Sequence, residues 1–400
     1  MRHIIISRAT LVLPDEIRQS PLYLSDGRIA GTRPPRNAWE LDLDDYLIFP
    51  GLINSHDHLY LNSVPPLPQT RPFPNSYAWI GAFQSHFADP EVTAAVGVAS
   101  DRRCHHGGLK NVLGGATTVV HHDPWHASLD DRAFPVRLLR SFGWAHSLGL
   151  GLRMQPAVGL PPYGPPVVES FVATPADWPW IIHLAEGTDD LAAAELSRLE
   201  ALGCVANNTV LVHGVGLTEA NVDLVIQRGA GVIWCPTSNL AILGRTLDPR
   251  RLFDAGRLAL GSDSRLTGAR DLLEELRVAA AHSDLTPREL LRLVTADACR
   301  VLRVPTVGGL QVGQYADLLL LRDRGGDPYR QLLDTSCSEL FAVVRDGTPV
   351  IADREFADWF AACGLETARV KLDGRSKLLA GMRRDVVDLE PGLELVTCHE

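Results

Sequence analysis

Through the middle of this 400-residue chain, short apolar runs alternate with stretches of helical pattern, and several of the runs end in histidine or acid. The runs lie at 117–120, 181–184, 210–212, 231–235 and 258–261, and helix candidates lie between and after them at 189–202, 219–227 and 270–281. This alternation marks a parallel α/β fold, because parallel strands need a crossover of a dozen or more residues, usually a helix. An earlier buried run at 47–54, interrupted by Pro50 and Gly51, supplies a first strand. A barrel of about 250 residues with a small satellite accounts for the length. The expected fold is α/β, a (β/α)8 TIM-like barrel over residues 50–304.

The chain ends read differently. Residues 4–13 are β-branched and apolar, and 21–24 lead into a turn at Ser25-Asp26-Gly27. Strand patterns return at 316–321 and 340–345, with a turn at Asp346-Gly347. The two ends, 1–49 and 305–352, are expected to pair into one small β-sandwich domain. Residues 353–400 form a C-terminal extension read as mixed and partly helical. The Pro- and Gly-rich stretch 156–166 reads as a loop, and only 35 residues separate Ser147 from His183, so region 148–180 is expected to be abbreviated.

Composition removes several classes of partner. The formal net charge of −10 implies no basic surface for nucleic acid. No run approaches the ~20 apolar residues of a membrane helix. The apolar run Ile4-Ile5-Ile6 is too short for a signal-peptide core. Seven scattered cysteines without a C-x-x-C pair indicate neither a disulfide framework nor a thiolate metal site. A reducing, cytoplasmic setting is expected.

The strand ends carry the chemistry. His56-Asp57-His58 follows the first barrel strand, His183 follows Ile181-Ile182, His213 follows Val210-Leu211-Val212, and Asp263 follows the 258–261 run. Residues two apart on a strand share a face, so His56 and His58 can aim at one ion while Asp57 points away. In a barrel the C-terminal strand ends converge on one mouth. Imidazole nitrogens and a carboxylate oxygen suit Zn2+, and equally Fe2+ or Mn2+.

The ordered set Pro50-Gly51-Leu52-Ile53-Asn54-Ser55-His56-Asp57-His58, His183-Leu184-Ala185-Glu186-Gly187, His213-Gly214, Cys235-Pro236-Thr237-Ser238-Asn239-Leu240 and Gly261-Ser262-Asp263-Ser264 resembles the amidohydrolase superfamily. So do Gly309-Leu310-Gln311-Val312-Gly313 and Ala316-Asp317-Leu318. The likeness runs from about residue 3 to about 350 and points to the branch of cytosine and guanine deaminases and triazine hydrolases. It implies that His56, His58, His183 and Asp263 hold one divalent ion, most simply Zn2+. Glu186 would shuttle a proton to the leaving nitrogen, His213 would polarise the substrate, and Asp263 would also accept a proton from the attacking water. A bound divalent ion brings the pKa of water from about 15.7 towards about 7, and a nearby carboxylic acid protonates the departing amine. The two-metal form of this superfamily needs a bridging lysine on the fourth strand, and no lysine occurs between Lys110 and Lys371. Lys110 itself reads as badly placed for that task.

Substrate contacts are expected from His122, Trp125 and His126 after the second strand. Trp234 stands where the superfamily often has histidine, and Arg265 could meet an anionic or carbonyl-bearing substrate. For Trp125 and His126 a lid-packing role fits equally, and for Arg265 a salt bridge with a nearby acid. His105, His106 and His146 read as surface or packing residues. The expected reaction is hydrolysis of a non-peptide C–N bond in a small molecule, with deamination of an amino-substituted N-heterocycle leading. Opening of a cyclic amide, as in imidazolonepropionase, and a catalytically silent binding barrel are the alternatives. No interface pattern is visible, and a homo-oligomer stays open.

Overall fold

The computed structural model describes residues 3–33, 37–149, 164–381 and 383–396. Most of the Pro- and Gly-rich stretch, 156–163, lies outside the described residues.

The central strands run parallel in two arcs. One arc is the order Arg137–Leu138, Ala116–His121, Leu52–Asp57. The other runs Gly143–Ala145, Trp180–Leu184, Thr209–His213, Gly231–Trp234, Leu258–Leu260. Every residue of the strands from Trp180 to Leu260 is buried, the mark of a sheet covered on both faces. Helices Ser100–Leu113, Glu219–Arg228 and Leu272–Ala281 are among those that flank the strands in sequence. Glu219–Arg228 shows how local chemistry sets their ends: Thr218 and Asn221 form a capping box, and Gly229 closes the helix in the left-handed region at φ 73°.

At one edge the arcs come together where the Asp263 N–H donates to the His56 carbonyl at 3.0 Å. At the other, Arg137–Leu138 and Gly143–Ala145 belong to different arcs yet are separated only by residues 139–142. Four residues cannot make a crossover helix, so these are successive parts of one bent run. The helix that a regular (β/α)8 fold would place there is not found among the described residues. Of the region 148–180, residues 150–163 lie outside the described residues, and 164–180 hold the helix Val167–Ala173 ahead of the His183 strand.

Both chain ends join outside the arcs. A nine-stranded sheet takes Thr10–Val12, Ile17–Gln19 and Tyr46–Pro50 from the beginning and six strands from Leu318–Arg322 onwards. A four-stranded sheet comes wholly from residues 3–42. The last fifty residues are mixed and partly helical: Arg354–Phe356, Ala357–Cys363 and Arg384–Leu389 are helical, and Thr367–Leu372, Arg375–Ala380 and Leu393–Leu395 continue the nine-stranded sheet. Among the described residues no helix is long and apolar enough to cross a membrane.

Candidate metal centre

The strand ends bring His56, His58, His183, His213, Glu186 and Asp263 to the same place. The Nε2 atoms of His56 and His183 lie 3.2 Å apart, and those of His58 and His183 lie 3.3 Å apart. Asp263 Oδ1 stands 3.9 Å from His56 Nε2 and 3.8 Å from His58 Nε2. A tetrahedron of ligands about 2.05 Å from a zinc-sized ion has edges of roughly 3.3 Å, so the imidazole spacing fits a shared cation. Tautomers strengthen the fit. His183 Nδ1 donates to the His146 carbonyl at 2.7 Å, and His58 Nδ1 donates to Asp123 Oδ2 at 2.6 Å. With both rings neutral the two Nε2 atoms are bare acceptors facing each other, so a positive charge belongs between them, either a shared cation or the proton that Asp123 helps His58 to keep.

Electrostatics favour neutral imidazoles at His56 and His183. Burial, and then neighbouring histidines, push both imidazoles well below the ordinary histidine range. Burial opposes charge on His58 too, but Asp123, followed by Asp263, outweighs it and raises that imidazole to about 9. Burial also opposes charge on Asp263, yet His58, His213 and the Ser238 hydroxyl hold its carboxyl below the usual range. Ser238 and Thr267 donate to Asp263 Oδ2 at 2.8 and 3.1 Å, so Oδ1 is the oxygen turned to the imidazoles.

Three non-glycine residues here occupy the left-handed region: Ala185 at φ 54°, His213 at 78° and Asp263 at 54°. Each such residue costs about 1–3 kcal/mol and persists only where its surroundings hold it. All three sit at the carboxyl ends of strands, where the turn out of the sheet aims side chains into the mouth. Burial raises the Glu186 carboxyl, with Asp263 adding to the effect and His213 opposing it. Its Oε1 stands 3.6 Å from His213 Nε2. His213 Nδ1 donates to Asn239 Oδ1 at 2.9 Å, fixing that ring.

Several expected substrate contacts lie elsewhere. His122 is buried behind the ligands, its ring stacked on His183 at 4.4 Å, and its Nε2 donates to the Ala145 carbonyl. Trp125 is 39% exposed and covered by Arg140, while His126 Nδ1 engages Ser128. Trp234 is fully buried and donates to Thr246. Arg265 forms a forked pair with Glu390 of the C-terminal extension, at 2.8 and 2.7 Å. None of these five lines the cleft over the ligands. The structure adds residues the sequence reading passed over: Asp123, Tyr60, Ser76, Trp79, Phe83 and Trp144 line it. His146, read as a surface or packing residue, lines it as well. His105 and His106 are buried, and His106 Nε2 meets Glu390 at 3.0 Å. Lys110 is buried beneath the ligands and is engaged by Asp57 and Ser262.

Residues 168–351 match the amidohydrolase family. A 5-methylthioadenosine/S-adenosylhomocysteine deaminase of Haloarcula marismortui is 22% identical over 326 residues, 70% of this chain and 74% of that protein. A probable guanine deaminase of Schizosaccharomyces pombe is 30% identical over 182 residues, 42% of this chain and 32% of that one. Beyond the Haloarcula protein, the other most similar curated relatives align over 30–44% of their own lengths. The fold is shared with a zinc-bound adenosine deaminase from Xanthomonas campestris, at 20% identity and TM-score 0.66 over 90% of this chain and 97% of that one. It is also shared with an Arthrobacter aurescens atrazine chlorohydrolase complexed with zinc and atraton, at 20% identity and TM-score 0.70 over 90% and 99%. The matched segment, residues 168–351, holds His183, Glu186, His213 and Asp263.

Proposed function

We propose that this chain is a metal-dependent deaminase of amino-substituted N-heterocycles, with His56, His58, His183 and Asp263 holding one divalent ion, zinc in the simplest case. The observation that carries the reading is the juxtaposition of that ligand set with Glu186 and His213 in one cleft. The two parallel arcs would close into a barrel over residues 50–304, and the sheets from 1–49 and 305–352, extended by 353–400, would form its companion domain. When bound, the ion supplies an acidified water and a Lewis acid at the reacting carbon.

The protein's own groups do the rest. Glu186, partly buried and with its proton affinity raised, takes one water proton and returns it to the amino nitrogen. Ammonia then leaves with the C–N electron pair. His213, its Nδ1–H committed to Asn239, presents Nε2 to the ring nitrogen that must carry the second proton. Asp263, its Oδ2 held by Ser238 and Thr267 and its Oδ1 by the Ser264 N–H, would accept the hydroxyl proton and release it to the ring nitrogen, which places both water protons.

The cleft walls favour an uncharged substrate. Among the described lining residues there is no lysine or arginine, whereas Asp123, Glu186 and Asp263 are present. One wall is aromatic: Trp79 stacks on Phe83 at 5.2 Å and 6°, and Phe87 packs against Phe83 at 4.8 Å. A flat ring system suits such a wall.

The test is ammonia release from a panel of amino-purines, amino-pyrimidines and amino-triazines, by the zinc-loaded wild type and by Glu186→Gln. The reading expects turnover on at least one compound and a loss of about 100-fold or more in the variant at unchanged metal content. Full activity in the variant would remove Glu186 from the mechanism. Wild-type activity confined to cyclic amides would replace deamination by ring opening.

A further inference from the structure

Ala185 sits between His183 and Glu186 in a backbone conformation that alanine avoids, at φ 54°. Something must hold it there. Its N–H donates to Glu195 Oε2 at 2.6 Å, and its carbonyl accepts from the Gly216 N–H at 2.7 Å. Glu195 is buried at 3% exposure, on the first turn of the helix Glu195–Ala201, and lies outside the cleft. Its other oxygen, Oε1, accepts from the Tyr77 hydroxyl at 2.5 Å. A buried carboxylate is costly to keep, and this one spends both oxygens on two points of the structure that adjoin the cleft.

Tyr77 belongs to the helix Ser76–His86, the element that carries Trp79, Ile80 and Phe83 into the cleft. The same helix start is laced to the Glu186 loop by backbone. Ser76 N–H donates to the Glu186 carbonyl at 2.9 Å, Thr188 N–H donates to the Pro74 carbonyl at 2.8 Å, and Asn75 bridges Gly187. The aromatic wall packs in its own small core with Val64, Val92, Val96 and Leu266, separate from the main one. One side chain thus joins a semi-independent wall that meets substrate to the strained residue next to the proton-carrying group.

We propose that Glu195 is a positioning residue that clamps Ala185 in its left-handed turn and, through Tyr77, registers the Ser76–His86 wall against the Glu186 carboxylate. The proposal rests on Glu186 being the proton carrier. Glu195 touches neither substrate nor ligand set; it fixes where Glu186 stands relative to His213. A shift of about 1 Å in such a group costs of the order of 100-fold in rate.

Two measurements on zinc-loaded, full-length protein test it. Crystal structures of wild type, Glu195→Ala and Glu195→Gln read the clamp without reference to turnover. Glu195→Ala is expected to release Ala185 from the left-handed region and to move Glu186 away from His213, whereas Glu195→Gln, whose amide oxygen can still accept from Ala185 N–H, keeps both. An unchanged Ala185–Glu186 turn in Glu195→Ala overturns the proposal even if the enzyme's substrate is never found. Kinetics on whichever amino-heterocycle the wild type deaminates should show kcat lowered about 100-fold in Glu195→Ala, with KM and metal content near wild type and kcat recovered in Glu195→Gln. Equal loss in both variants, or loss through metal content alone, would also overturn it. Failure of the wild type to deaminate anything, with the turn displaced in Glu195→Ala, would count against the proposed reaction and leave the clamp standing.

Discussion

Lys110 offers a quantitative test of how the ligand platform is built. Its side chain is fully buried, and Nζ donates to Asp57 Oδ2 at 3.0 Å, Ser262 Oγ at 3.0 Å and the Asp263 carbonyl at 3.3 Å. Asp57 is also fully buried, lies between the proposed ligands His56 and His58, and accepts from Asn62 at 2.9 Å and Asn111 at 2.7 Å. Lys110→Met keeps the volume and deletes the charge, leaving Asp57 buried with amide donors alone. Breaking one side of a buried ion pair costs about 3–5 kcal/mol. Asp57→Asn should cost a similar amount by stranding the ammonium. Removing both charges costs less than the sum, because neither is left alone, so the double variant should lose about 3–5 kcal/mol rather than about 6–10. Urea unfolding of the metal-free wild type, both singles and the double gives the cycle. Because the pair braces the His56–His58 strand end and the Asp263 backbone, zinc affinity of Lys110→Met should also fall about 10- to 100-fold. A single variant within about 1 kcal/mol of wild type, or strictly additive losses, would refute this account of the platform.

Two further perturbations read other parts of the structure. Burial raises the Glu275 carboxyl to about 8, and its Oε2 has no partner among the described residues. The folded chain therefore holds this proton more tightly than the unfolded chain, and its contribution makes stability fall as pH rises from about 4.5 to about 8. Glu275→Gln, which can still accept from the Thr237 N–H, should flatten that slope in unfolding free energies measured across the window; an unchanged slope would clear Glu275 of the effect. Trp79→Ala strips the aromatic wall of its outer ring, so KM for a planar heterocycle should rise about tenfold with kcat nearly kept, as measured by steady-state kinetics.

The gathering of His56, His58, His183 and Asp263 was legible because each sits where an apolar run stops, and the parallel sheet makes those stops coincide in space. The supporting groups were not. Asp123 lies two residues past the end of the Ala116–His121 run and meets His58 across 65 positions of sequence, a contact no local pattern encodes. For Arg265 the residues alone left a substrate contact and a salt bridge open, and its partner, Glu390, is 125 positions away. The bent run at 137–145 is hidden because its halves are two and three residues long and pair with different neighbours. The C-terminal extension did carry a readable signal. Asp373-Gly374 is a two-residue hairpin turn, with φ 47° and 81°, between the paired strands Thr367–Leu372 and Arg375–Ala380. That pair is the strand part of a mixed segment whose helices are Arg354–Phe356, Ala357–Cys363 and Arg384–Leu389.

The central claim is one divalent ion held by His56, His58, His183 and Asp263. Its most direct test is elemental analysis of metal per chain in protein purified without chelator, alongside His183→Ala. The account predicts a value near one for the wild type and a marked loss in the variant, because a vertex of the ligand tetrahedron is gone. A value near two, a value near zero that persists after zinc, iron or manganese is added, or full retention in His183→Ala would contradict it.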